Sequence, residues 1–181
     1  MKRILDVGLA LVALLLFALP MLVIGLLLRY REDHPVIFRQ VRVGRYRRPF
    51  IIFKFQTMVA GEPTPVGRWL RRTGLDELPQ FINVLKGDMS IVGPRALTAA
   101  DMVRLGWDGS AYDWRWRVRP GITGLAQIYG GGHRRLSSFW DRQYLRRSGP
   151  GLDLVLILIS FLMNIGGKEG IGRLLRLRRS K

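Results

Sequence analysis

"LLLFALPMLVIGLLL", residues 14–28, carries no charged side chain and places Pro20 near its centre. It is the larger part of an uncharged run from Val7 to Leu28. As a helix that run is roughly 33 Å long at about 1.5 Å per residue, against a hydrocarbon core of roughly 30 Å. It exceeds the roughly 7–15 apolar residues of a cleaved signal peptide. Lys2 and Arg3 precede the run while Arg29 and Arg31 follow it, so the positive-inside tendency draws both ends to one side. Pro20 lacks a backbone donor and clashes with the turn before it, which makes a bend there easy to build. Two forms satisfy these constraints: a Pro-kinked single span, and a helix–break–helix that enters and leaves by one face. Asp6, three and four residues after Arg3 and Lys2, is expected to pair with them on the helix.

The rest of the composition narrows the partners. Thirty Lys and Arg against thirteen Asp and Glu give a net charge of +17. Only five of those thirty cations are lysines, and guanidinium forks suit phosphate oxygens. The partners implied are anionic: nucleic acid, lipid headgroups or a phosphorylated small substrate. The absence of cysteine excludes disulfides, thiolate metal sites and a cysteine nucleophile. His34 and His133 are isolated, which leaves little for a histidine-based site.

Beyond the apolar run, "PVIFRQVRVGRYRRPFIIFKFQTM" reads as two strands around a turn near Gly44–Arg48. Alternation there puts Ile51, Phe53 and Phe55 on one face and Ile52, Lys54 and Gln56 on the other. "VAGEPTPVG" is a short loop. In "RWLRRTGLDELPQFINVLKGDMS", Leu75, Leu78, Ile82 and Leu85 recur at helical spacing as a buried stripe, with Thr73 or Asp76 as cap. Asp76 and Glu77 then sit at a helix start just after Arg68, Arg71 and Arg72. Ordinary capping explains most such pairs, but carboxylates among arginines, with a divalent cation, can attack a phosphate. "YDWRWRVRPGITG" alternates Trp114, Trp116 and Val118 with Arg115, Arg117 and Arg119, predicting an aromatic face and a basic face. "LDLVLILISFLMNI" is too short to span and reads as a core or in-plane helix. The tail "GRLLRLRRSK" suits anionic headgroups.

The pieces "PVIFRQVRVG", "PFIIFKFQTM", "LDELPQFINVLKGDMSIVGPR", "RVRPGITGLAQIYG" and "DRQYL" resemble, in order, the bacterial sugar transferases, the small monotopic phosphoglycosyl transferases. "KRILD" looks like that family's entry motif ahead of its membrane segment. The resemblance implies an α+β fold: a re-entrant helix–break–helix anchor over residues 1–30, turned back at Pro20, and a cytoplasmic catalytic domain over 31–181. That domain, with a β-hairpin and amphipathic interfacial helices, would rest on inner-leaflet phospholipids at the cytoplasmic face of the bacterial inner membrane. The reaction implied moves a sugar 1-phosphate from a UDP-sugar to undecaprenyl phosphate and releases UMP, beginning a surface glycan or glycoconjugate.

Carried over by position, Asp76 is the implied nucleophile and principal ligand of Mg2+, and Glu77 its partner. Lys54, Arg71, Arg95 and Arg119 are the implied phosphate binders, and Asp141 matches a further family acid. The chain departs from the family's pattern at Leu19, where members often carry serine, and at Ala96, the second proline of a Pro-Arg-Pro motif. The loop after Met58 is short, and the expected type is the minimal, single-domain one. The resemblance leaves no role for nucleic acid. The alternatives are a membrane-attached nucleic-acid-binding protein, which gives Asp76 and Glu77 no task, and an inactive membrane scaffold.

Overall fold

The structure, a computed structural model, describes residues 1–130 and 133–165; the basic tail lies outside the described residues. Helix α1 (Lys2–Leu16) and helix α2 (Ala18–Arg31) meet at Phe17 with a bend of 59°. Proline cannot donate to the carbonyl one turn back, and its ring clashes with it. For Pro20 that carbonyl belongs to Leu16, where α1 ends. The break therefore sits one turn before the proline. Phe17 is the hinge: its N–H closes α1 on the Ala13 carbonyl (2.9 Å), and its own carbonyl opens α2 by accepting from Met21 N (2.8 Å). No single helix among the described residues is long and apolar enough to cross a membrane; the bent pair together is.

The hairpin follows, with β1 (Ile37–Val43) antiparallel to β2 (Pro49–Phe55). The expected loop contains a second, two-residue pairing of β3 (Met58–Val59) with β4 (Glu62–Pro63). Helix α3 (Pro65–Thr73) starts on Thr64, whose hydroxyl accepts from Gly67 N, and stops at Gly74 in the left-handed conformation. A 3-10 turn over Leu75–Glu77 precedes helix α4 (Gln80–Lys86), β5 (Ser90–Val92) and helix α5 (Ala99–Leu105). Strand β6 (Gly121–Thr123) runs parallel to β5, and helices α6 (Leu125–Tyr129), α7 (Arg134–Arg147) and α8 (Pro150–Ile165) complete an α+β fold.

Several expectations change in detail. On the hairpin the buried face carries Phe50, Ile52 and Lys54, while Ile51 is exposed, the reverse of the expected apolar side. Phe53 instead lies beneath the cations of Arg39 and Lys86, which lets an aromatic ring face outward. The stripe through Leu75–Leu85 is broken, because Pro79 splits the helix from the 3-10 turn and Ile82 faces out. Thr73 is not a cap; its hydroxyl bonds back to the Trp69 and Leu70 carbonyls. Residues Ser110–Arg117 form 3-10 turns rather than a strand, so Arg115 and Trp116 are both buried, and no alternating stripe exists there.

The entry segment is bolted to the domain. Asp6 does not pair with Lys2 or Arg3. Its carboxylate, buried, accepts from Ser90 Oγ (2.8 and 3.0 Å) and Ile91 N (3.1 Å). Arg3 donates to the Val84 and Leu85 carbonyls at the end of α4, and Lys2 donates to Asp153 on α8. The apolar segment needs the domain's polar groups, and the domain's free carbonyls need its arginine. At the other end Ile24 and Leu28 of α2 are buried with Phe55, Leu70 and Leu78. Both halves of the bent pair thus pack on one domain.

Asn83 closes the free edge of β2. Its Nδ2 donates to the Ile51 carbonyl (2.7 Å), and its Oδ1 accepts from Phe53 N (3.0 Å), as a further strand would. Asn83→Ala leaves both backbone groups unmatched and is expected to cost about 3 kcal/mol. Chemical denaturation of wild type and variant in detergent measures the loss; equal midpoints would contradict this role.

Candidate active site

Strand β2 delivers Lys54 to the inner face of the hairpin. The 3-10 turn, opened by the left-handed Gly74, delivers Asp76 and Glu77 against it. Lys54 Nζ donates to Glu77 Oε1 at 2.7 Å, with both side chains mostly shielded. Glu77 and Lys54 line a cavity of about 910 Å3, together with Arg42 and Arg95. Asp76 is half-buried between Leu75 and Glu77, both of which face that cavity. Phe17, the hinge of the bent pair, lines it too, as do Phe161 and Asn164 at the end of α8.

Arg95 is exposed at its side chain but held at its backbone. It pairs with Gly121 beside β6, and its carbonyl accepts from Arg115 Nη2 at 2.7 Å. Arg115 Nε donates to Asp141 at 2.8 Å, and both side chains are almost wholly buried. Burial pushes the Asp141 carboxyl up, against the pull of the Arg115 guanidinium. Arg42 donates to the Ala96 carbonyl, so the residue after Arg95 is tied to the hairpin. Burial pulls the Arg42 guanidinium below its ordinary value; Asp101 opposes the shift and Arg95 adds to it. A pocket that shields two arginines from water in this way has a use for a multiply charged anion.

Of the seven charged residues singled out in the sequence, the structure therefore brings Lys54, Glu77 and Arg95 onto one cavity wall, with Asp76 in the adjoining turn. Arg71, Arg119 and Asp141 are not among its described lining residues. Arg71 contacts the Met58 sulfur from the last turn of α3. Arg119 donates to the Gly87 carbonyl at the end of α4 (2.7 Å), and burial, with Arg3 and Arg45 near, lowers its guanidinium. Asp141 reaches the site through Arg115. Arg42 escaped the sequence reading, although pairing with Phe50 puts it on the same hairpin face as Lys54. Gln80 and Gln127 also line the cavity, and no spacing signal singles them out.

Residues 1–166 match the family described as bacterial sugar transferase. The chain belongs to this family. Among curated members, this bacterial sugar transferase is 38% identical over 181 residues to the UDP-glucose:undecaprenyl-phosphate glucose-1-phosphate transferase of Escherichia coli strain K12, covering 88% of this chain and 39% of that one. It is 34% identical over 175 residues to the UDP-N-acetylgalactosamine-undecaprenyl-phosphate N-acetylgalactosaminephosphotransferase of Aeromonas hydrophila (86% and 41%). A glucose-1-phosphate transferase of Caulobacter vibrioides is 41% identical over 143 residues (71% and 54%). The chain thus spans about two fifths of the length of the first two relatives and about half of the third. Glucose and N-acetylgalactosamine both occur in these names, so family membership leaves the sugar open.

Proposed function

We propose that this protein transfers a sugar 1-phosphate from a UDP-sugar to undecaprenyl phosphate and releases UMP, at the cytoplasmic face of a bacterial inner membrane. One observation carries the reading. The cavity that holds the Lys54–Glu77 pair and two arginines is also lined by Phe17, the break in the apolar helix pair. A soluble anionic donor and a lipid-borne phosphate can meet there.

The re-entrant form of the anchor, residues 1–30, is supported by its two attachments. Lys2, Arg3 and Asp6 fasten one end to the domain of residues 31–181, and Ile24 and Leu28 fasten the other to the same domain. Leu15, Leu16 and Leu19 around the bend are about 70–80% exposed, as are many apolar side chains along both helices, and hydrocarbon is the solvent that suits them. On α8, Leu154, Leu158, Phe161 and Leu162 are exposed while Leu156 is buried, which suits a helix lying in the membrane plane. The nucleic-acid alternative loses its aromatic stripe, since Trp116 and Arg115 are inside.

In the proposed chemistry an Asp76 oxygen attacks the phosphorus that bears the sugar, and the bond to the bridging oxygen of UMP breaks. An oxygen of undecaprenyl phosphate then attacks the same phosphorus and displaces the Asp76 carboxylate, leaving a polyprenyl diphosphate sugar. Splitting the transfer lets two bulky substrates use one pocket in turn. Arg42 and Arg95 hold phosphate oxygens, and Lys54 orients Glu77 beside the nucleophile. No group of three or more acidic or histidine side chains suited to a metal occurs among the described residues, and Glu77 is tied to Lys54. That donor set fits Mg2+ held by Asp76 together with waters and phosphate oxygens. When bound, the ion neutralises diphosphate charge and stabilises departing UMP.

The test incubates purified protein with Mg2+, undecaprenyl phosphate and a panel of UDP-sugars. UMP release from at least one donor, dependent on the lipid phosphate for sustained turnover, is the expected result. No release from any donor, together with salt-sensitive binding of oligonucleotides, would favour the alternative.

A further inference from the structure

Gln127, on α6, has no part in the chemistry above, yet it lines the same cavity. Its Nε2 donates to the Gly93 carbonyl (3.3 Å) and the Gly121 carbonyl (3.4 Å). Carbonyl oxygens only accept, so these contacts settle which end of the carboxamide is nitrogen. Oε1 must then point away from them. It is shielded from solvent and has no hydrogen-bond partner among the described residues.

Bare backbone around it makes this arrangement possible. A Cβ on Gly121 would lie 2.1 Å from Gly93 N, and one on Gly124 would lie 2.3 Å from the Gly93 carbonyl and 2.9 Å from Gln127 Oε1. The glycines let β5 and β6 approach closely, present two carbonyls to Nε2, and keep the space at Oε1 clear. A buried acceptor without a donor costs stability until something supplies one. Gln80, almost wholly buried on the same cavity, leaves its Nε2 similarly unmatched among the described residues.

We propose that Gln127 Oε1 accepts a hydrogen bond from an O–H or N–H group of the sugar nucleotide, and so helps to determine which donor is bound. The inference rests on the function proposed above. The lipid acceptor is a poor candidate for this contact, since ionised phosphate oxygens accept and a hydrocarbon chain offers no donor. A sugar nucleotide offers both sugar hydroxyls and the uracil N–H.

The experiment compares wild type with Gln127→Leu and Gln127→Asn, using UDP-glucose and UDP-N-acetylgalactosamine as donors. Leu removes the acceptor at similar volume; Asn keeps polarity but withdraws it by one methylene. For the donor that wild type uses, KM is expected to rise about tenfold or more in both variants. The KM for undecaprenyl phosphate should stay within about twofold, and the thermal midpoint should not fall. Inhibition by UMP then locates the contact. Weaker inhibition in the variants assigns it to the uracil or ribose, and unchanged inhibition assigns it to the transferred sugar. A lower thermal midpoint with unchanged donor KM would reduce Gln127 to a structural residue and overturn the proposal. So would a rise confined to the lipid KM. Should Leu fail to fold, Asn carries the same comparison. Wild type that binds UDP-glucose without turnover would count against the function, while loss of that binding in the variants would still support this contact.

Discussion

Asp76→Asn is expected to lower UMP release by at least about a thousand-fold while leaving the fold intact. The substitution keeps the shape of the side chain and removes the charged oxygen that attacks phosphorus, so no route through the covalent step remains. The thermal midpoint should move by no more than about 2 °C, because Asp76 is half-buried in a surface turn and not in the core. Glu77→Gln should be milder, because it weakens the ion pair with Lys54 (2.7 Å) without deleting the nucleophile. Initial rates of UMP release, alongside thermal unfolding of the same preparations, separate the two effects. Equal turnover in wild type and Asp76→Asn would leave the two-step route without its first step.

The second large effect concerns stability. Asp141→Ala strands the Arg115 guanidinium, which is buried and donates to Asp141 at 2.8 Å. Breaking a buried pair from one side costs about 3–5 kcal/mol. For a chain of this size the thermal midpoint should fall by roughly 6–20 °C. Activity measured well below that midpoint should also fall, because Arg115 holds the carbonyl of Arg95 and so the backbone that presents a phosphate-binding cation. Replacing both partners with apolar residues, Arg115→Met with Asp141→Leu, should recover part of the stability but not the hold on Arg95. If Asp141 instead met substrate directly, its removal would depress turnover at an unchanged thermal midpoint. Thermal unfolding and rates on the three variants distinguish these outcomes.

How much of this was readable in the residues alone differs from element to element. The hairpin was legible because Gly44–Arg48 separates two runs of strand-forming residues, and the apolar segment because lipid-facing surface leaves an uninterrupted hydrophobic run. Proline marked the break within a turn, but its steric effect falls on the carbonyl of Leu16, so the hinge is Phe17. Face assignment failed on β2 because residues 49–55 alternate almost entirely among apolar types; tertiary contacts with Asn83 and Lys86 decide which side is inside. The Trp/Arg run misled for a related reason. Alternation of type does not fix burial when an arginine finds an aspartate twenty-six positions later and two tryptophan rings within about 5 Å of its guanidinium. Lys54, Glu77 and Arg95 were found as candidates, whereas Arg119 was chosen by charge and spends its guanidinium on the carbonyl of Gly87. Gln127 was invisible, since its orientation depends on glycines packed across β5 and β6.

Incubation of the protein with the UDP-sugar alone, followed by acid quench, digestion and mass measurement of the peptides, bears most directly on the central claim. The account predicts a stoichiometric burst of UMP, with a sugar-phosphate mass added to the peptide that contains Asp76 and none in Asp76→Asn. An active preparation that forms the lipid product, yet shows only unmodified Asp76 peptide under donor alone, would contradict it.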